Sequence, residues 1–397
     1  MERKKILYTA TLVSALVLAL LFTYKVPEPE WGKERISESV DQRFFDVESS
    51  DGTVYVAYRN STDGGVRVAS RSAANLFSSV SGWSSETVSD VPGSGAYLSL
   101  EMVEGEPAVA YQVAETGNER VVYAERNGGN WSVEQVEGVT GGGVNVGMYT
   151  SLTSWKGKPL LFYHSPTRGL KSALKTEEGW EKHEFGKELG WFTATASCGE
   201  EAFAAFRGRE SKQLRLATYD GSWNVENISG KVKSSISLTQ EGCEPAVSYL
   251  GQDEVLKYYS GGKTRNITQS SYSDVSVEGE KVSFYRYGEG VYFGSWNGTS
   301  WEKEELRRYQ NASRYNRFES DSAGNLHVLY VNDGALVHEE MNAGTLGKKK
   351  KALNGLRIAF GVLLALLAVL SVRELDPENL NRITGDEEDE EGAEEQD

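Results

Sequence analysis

The sequence predicts an all-β chain: a seven-bladed β-propeller whose first strand closes the last blade, with a transmembrane helix at each end. Two repeated phrases and their tally carry that prediction. The first is a 15-residue block ending on an aromatic, such as "FFDVESSDGTVYVAY" at 44–58 and "YLSLEMVEGEPAVAY" at 97–111. The second is a Trp followed by a short charged strand, such as "WSSETV" at 83–88 and "WEKEEL" at 301–306.

The block recurs at 149–163, 192–206, 235–249, 271–285 and 316–330, so it appears seven times. Its terminal aromatics are Tyr58, Tyr111, Tyr163, Phe206, Tyr249, Tyr285 and Tyr330, a register suited to packing between blades. Each block carries a Gly near its middle between apolar flanks, which reads as two strands joined by a tight turn that needs positive φ. A further strand follows each block, then a turn such as "NGGN" or "NGTS", then the Trp phrase. The Trp phrase also occurs at 31–36, 131–136, 180–185 and 223–228, and a degenerate copy, "TRNITQ", fills 264–269. Four antiparallel strands per repeat of roughly 45 residues, with no helix between them, is the propeller signature. The chain opens with a lone Trp phrase and ends on a repeat that lacks one, closing on "ALVHEE" at 335–340. The first strand therefore belongs beside the last.

The Asn/Asp-Gly hairpin before a Trp and the "G-x-P-x-V-x-Y" strand resemble the sialidase-type and BNR-like propellers over residues 31–340. The resemblance implies a fold only, because propellers of this kind host enzymes and binding modules alike.

The expected domains are a basic N-terminus (1–5), a transmembrane signal anchor (6–24), the propeller (31–342), a second transmembrane helix (352–372) and an acidic disordered tail (373–397). Ile6 to Tyr24 are nineteen residues without a charge, long enough to cross a hydrocarbon core. A cleaved signal peptide is the rival reading of that segment. In the second span Arg357 is expected to snorkel towards Lys348–Lys351. The tail, ending "GDEEDEEGAEEQD", has nothing apolar to bury. A net charge of −16 argues against a nucleic-acid partner.

Evidence on membrane side is divided. The Lys348–Lys351 run favours a cytoplasmic propeller. Six sequons favour the extracytoplasmic side as glycosylation sites: Asn60, Asn130, Asn227, Asn266, Asn297 and Asn311. The two cysteines, Cys198 and Cys243, sit in equivalent turns of neighbouring blades and are expected to form a disulfide, which an oxidising compartment preserves. The extracytoplasmic side of the cell membrane is the reading adopted.

No catalytic constellation is legible. The "F/Y-R-I-P" segment of sialidases is missing, as are G-x-S-x-G, P-loop and H-E-x-x-H motifs. The Gly-rich 138–147 stretch precedes no helix pattern and reads as a loop. Four scattered His and two Cys build no metal site, and no cofactor is implied. One register carries a possible ligand site: the residue after each terminal aromatic is Arg59, Gln112, His164, Arg207, Leu250, Arg286 and Val331. Its Arg and His form a partial basic ring suited to an anionic sugar or a partner's carboxylates. The rival reading of the same positions is that they are ordinary exposed, polar strand ends. The functional expectation is a membrane-anchored binding or scaffold module for a glycan or protein partner, not an enzyme. The alternative is a sialidase-like or other glycan-active hydrolase.

Overall fold

Turn chemistry sets the local structure. Asp51-Gly52, Glu104-Gly105 and Lys156-Gly157 all sit at positive φ, the geometry that matches the twist of the flanking strands. The structure, a computed structural model, describes residues 2–72, 82–138, 146–270, 274–308 and 312–373. Asn311, residues 139–145 of the Gly-rich loop and the acidic tail beyond Arg373 lie outside them. Pro29–Thr345 forms one compact unit and the flanking segments another.

Among the described residues of the first unit run 27 strands, β1 to β27 in chain order, and every recorded pairing is antiparallel. Strands β2–β5 (40–89), β6–β9 (96–138), β10–β13 (148–186) and β21–β24 (275–308) form four-stranded sheets. Strands β14–β20 (191–269) form a seven-stranded sheet. Its middle strand, β17 (Trp223–Glu241), is 19 residues long. The first half of β17 pairs with β16 (Gln213–Tyr219) from Tyr219↔Trp223 to Gln213↔Lys231. The second half pairs with β18 (Glu244–Gly251) from Val232↔Gly251 to Glu241↔Glu244.

The first strands of the blocks lie innermost, each touching the next. They are β2 (Val40–Ser50), β6 (Ala96–Val103), β10 (Met148–Trp155), β14 (Trp191–Cys198), the later part of β17, β21 (Val275–Glu278) and β25 (Ala312–Ser320). The last of them touches β2 again, so the cycle closes. Small side chains staple one inner strand to the next. Asp46 accepts from Leu100 N, Ser99 Oγ from Leu152 N, Ser237 Oγ from Val277 N and Ser276 Oγ from Phe318 N, all at 3.0–3.1 Å. All seven terminal aromatics are buried, and they pack in clusters such as the one joining Tyr111 to Val66 and Leu98. The Trp phrases form the fourth, outer strands.

Closure is a strand pairing. β1 (Trp31–Ser37) runs antiparallel to β27 (Ala335–Met341), from Trp31↔Met341 to Ser37↔Leu336. Arg71, its side chain 3% exposed, reaches in from the neighbouring sheet to ion-pair with Glu34 of β1 and Glu340 of β27. Beside this clamp two buried histidines stack: His338 Nε2 lies 3.0 Å from His327 Nδ1, and His338 Nδ1 lies 3.4 Å from Glu34 Oε1. Burial, then the charges of His327 and Arg71, hold His338 well below the usual imidazole range. Asp321 and Asn325 extend the network to Thr345. Cys198 and Cys243 are joined in a disulfide with Cα atoms 5.3 Å apart, tying the β14 turn to the β17–β18 turn.

The second unit contains two helices long and apolar enough to cross a membrane: α1 (Glu2–Thr23) and α2 (Ala343–Arg373), the latter starting within the first unit. Arg357 does not turn towards Lys348–Lys351. Its guanidinium donates to the carbonyls of Leu21 and Tyr24 and lies 5.2 Å from the Phe22 ring. The last carbonyls of a helix lack intrahelical partners, and a guanidinium satisfies them while complementing the helix dipole.

Candidate functional site on the propeller axis

The axis carries a polar cavity of about 390 Å³, lined by the inner strands of every repeat. Its middle is structural. Arg317 pairs with Asp46 at 3.3 Å and with Asp274 at 3.2 Å, and both carboxylates also accept backbone N–H bonds.

Further along the strands lies a cluster of carboxylates: Glu48, Glu101, Glu278 and Glu319, all lining the cavity. Glu48, Glu101 and Glu319 share one register, opposite Tyr55, Ala108 and His327. Ser49 Oγ donates to Glu319 at 3.0 Å, Ser320 N to Glu278 at 2.9 Å and Met102 N to Glu101 at 3.0 Å. Enclosure by the ring pushes all three shifted groups up. Burial, then repulsion among the neighbouring carboxylates, raises Glu48 and Glu319 well above the usual range. Burial likewise raises Glu101 to about 7. On the other side of the cavity stand Thr153, Ser197, Thr239 and Gln240, which are uncharged.

At the opposite end, where the inner strands begin, an arc of aromatics rims the axis. Phe44, Tyr97, Tyr149 and Phe192 follow one another at centroid distances of 5.3, 5.1 and 5.1 Å. Tyr97, Tyr149 and Phe192 are held at φ of 49, 54 and 55°, as is Ser235 at 53°. Bulky residues seldom occupy that region, and such strain gathers at binding and catalytic sites. The local cause is a bulge in each inner strand, between Ala96 and Ser99, Met148 and Ser151, and Trp191 and Ala194. A closely packed glycine stands two residues earlier in each: a Cβ on Gly190 would strike Leu170, and one on Gly95 or Gly147 would crowd Val66 and Arg59 or Val121 and Gln112. Burial raises Tyr97 and pushes Tyr149 up to about 12, so both phenols stay protonated donors.

The expected basic ring divides here. Arg59 lies 6.0 Å from the Phe44 ring and pairs with Asp41 at 3.5 Å. Gln112 donates to the Val146 carbonyl at 2.7 Å. His164 is buried between Tyr149 and Trp191, and burial followed by the charge of Arg209 lowers it to about 4. Arg207 stacks on Trp191 at 5.4 Å and Phe192 at 5.6 Å. Arg286 is held by Glu289 at 2.8 Å over Tyr292, within its own hairpin. The structure thus gathers Arg59, His164 and Arg207 around the aromatic arc, sets Gln112 against the adjoining loop and turns Arg286 to a different partner. Of the sequons, Asn130, Asn227, Asn266 and Asn297 are exposed and Asn60 is half-buried.

Sequence reasoning missed the aromatic arc, although a signal existed. "GAYLS", "GMYTS" and "GWFTA" repeat Gly-x-aromatic at one register. It also missed the glutamates: Glu48 and Glu101 share the fifth position of their blocks, but Glu319 is the fourth residue of its own and joins their register only in the strand pairing.

No family model matches this chain, and no curated protein matches it. Solved structures do. The WD40 β-propeller domain of Doa1 is 16% identical at a TM-score of 0.51, covering 78% of this chain and 97% of that one. The Aleuria aurantia lectin, a six-bladed β-propeller with a fucose recognition mode, is 15% identical at 0.42, covering 61% and 90%. The microbial sialidase Hz136 is 8% identical at 0.41, covering 72% and 76%. The chain is a β-propeller; likeness at this level shows the fold alone.

Proposed function

We propose that the protein is a membrane-anchored, seven-bladed propeller whose aromatic-rimmed mouth binds a glycan outside the cytoplasm. The observation carrying this reading is the arc of Phe44, Tyr97, Tyr149 and Phe192, three of them at the same left-handed register beside Arg59, His164 and Arg207. Aromatic faces present broad apolar area at little ordering cost, and the neighbouring donors fix orientation. Sugars offer both apolar C–H faces and hydroxyls to such a surface.

The count of seven rests on reading β17 as the outer strand of one blade continuing into the inner strand of the next. The propeller then spans 31–342, with membrane helices at 6–24 and 352–372 and an acidic tail at 373–397. An extracytoplasmic propeller is supported by the disulfide and by the exposed Asn130, Asn227, Asn266 and Asn297. The decisive experiment is a glycan microarray probed with the full chain in lipid nanodiscs. Saturable binding that falls tenfold or more in Tyr149→Ala supports the reading, and no binding to any glycan refutes it.

One observation favours a second reading, a glycan-active hydrolase. Glu48, Glu101, Glu278 and Glu319 converge in one cavity, and hydrolysis of a glycosidic bond uses a protonated and an ionised carboxyl group together. Turnover of fluorogenic glycosides that disappears in Glu319→Gln would establish it; absence of turnover leaves the module a binder.

A further inference from the structure

We infer that the cluster of His164, Trp191 and Arg207, between the tops of the third and fourth inner strands, receives the carboxylate of an acidic sugar such as a terminal hexuronate. The inference rests on the glycan-binding reading and deepens it. His164 is 4% exposed, yet neither of its ring nitrogens has a partner among the described residues. The same holds for Trp191 Nε1 and Arg207 Nε. Unpartnered indole nitrogens also occur at Trp83, Trp180 and Trp301, and an unpartnered guanidinium Nε at Arg71 and Arg215. The three group types also gather at the closing strand pair, as Arg71, Trp83 and His327, but there Glu34 and Glu340 already pair with the guanidinium. In the present cluster the His164 and Trp191 rings are 6.2 Å apart, and Arg207 lies 5.4 Å from Trp191.

Buried polar groups are normally hydrogen-bonded, so a group of orphans points to something that completes them. The chemistry of the set selects the ligand. Trp191 Nε1 and Arg207 Nε only donate, and a neutral His164 donates through one nitrogen. A hydroxyl would bring a hydrogen of its own, which only the second His164 nitrogen accepts. A carboxylate brings lone pairs and charge without one. Arg207 makes no ion pair among the described residues; its Nη1 donates to the Lys233 carbonyl at 3.1 Å. No carboxylate among the described residues therefore neutralises its charge, and Arg209 adds to the local positive field that His164 feels. Half-buried Tyr149 and Phe192 flank the cluster and supply the faces against which a sugar ring rests.

The test is isothermal titration of the full chain in nanodiscs with a glucuronate-terminated disaccharide, its methyl ester and the matching neutral disaccharide. The expected result is binding of the acid at least tenfold tighter than of the ester. Arg207→Lys, which keeps the charge but loses the planar stack, should erase that preference. Trp191→Phe, which keeps a ring but removes the N–H, should weaken the acid about three- to tenfold. Arg265→Lys, in a cation held by Glu280, should change nothing. Equal affinity for acid and ester, with binding still lost in Tyr149→Ala, overturns this inference and leaves the glycan reading standing. No affinity for any of the three, together with an unresponsive microarray, overturns both. Preference for an acidic peptide over every sugar overturns the sugar assignment.

Discussion

Replacing Glu101 by Gln perturbs the axial carboxylates with the least disturbance of contacts. The amide oxygen still accepts the Met102 N–H, and the side chain keeps its volume. Burial raises the Glu101 carboxyl from 4.5 to about 7, so the folded protein binds its proton more tightly than the unfolded chain does. Stability from this group is therefore fully present below about pH 4.5 and is lost as pH rises through about 7. At ~1.4 kcal/mol per pKa unit the shift corresponds to at most ~3 kcal/mol. Glu101 keeps partial contact with solvent, and screening there reduces the figure to ~1–3 kcal/mol. Glu101→Gln should thus lie within ~1 kcal/mol of the wild type at pH 5 and exceed it by ~1–3 kcal/mol at pH 8.5, about 2–5 °C in melting temperature. His338 shifts in the opposite sense: burial holds it neutral, so its contribution is lost as pH falls below about 6.5. That term is common to both proteins and cancels in their difference. The assay is calorimetric or fluorimetric unfolding of both chains in detergent from pH 5 to 8.5. A variant less stable than the wild type at pH 8.5, or a difference independent of pH, would refute the reasoning.

Other outcomes follow from the same structure. Arg71→Ala strips the closing strand pair of its guanidinium and leaves Glu340 buried without it, at a cost of ~3–5 kcal/mol. Arg35→Ala breaks only the exposed Arg35–Glu38 pair and should cost under ~1 kcal/mol, so urea midpoints of the two variants should separate widely. Reducing the Cys198–Cys243 bridge releases a loop of 45 residues and should destabilise the propeller by ~2–4 kcal/mol, read as a lower melting temperature in a reducing agent.

Much of the fold was legible because propeller blades repeat local chemistry. The turn glycines, the terminal aromatics and the Trp phrases each recur at a fixed register, and the unpaired Trp31–Ile36 phrase announced its pairing with the last sheet. Even "TRNITQ", which lacks the Trp, forms an outer strand, because its pattern still buries Ile267. The sites were less legible because they depend on the angle at which repeats meet. Arg59 and Arg286 occupy the same register, yet one faces the aromatic arc and the other pairs with Glu289 three residues on. Nothing local distinguishes them. Glu48 and Glu319 lie 271 positions apart, and only closure of the ring makes them repel each other. Arg357 likewise found its partners in a helix more than 300 residues earlier.

Hydrogen-exchange mass spectrometry of the full chain in nanodiscs, with and without a glycan selected on the microarray, locates the binding surface directly. Protection confined to peptides covering Tyr97, Tyr149, Trp191–Phe192 and Arg207 is the expected pattern. Protection falling instead on the turns at 51–52, 104–105 and 156–157, or on the outer Trp strands, would contradict the assignment of the mouth as the binding site.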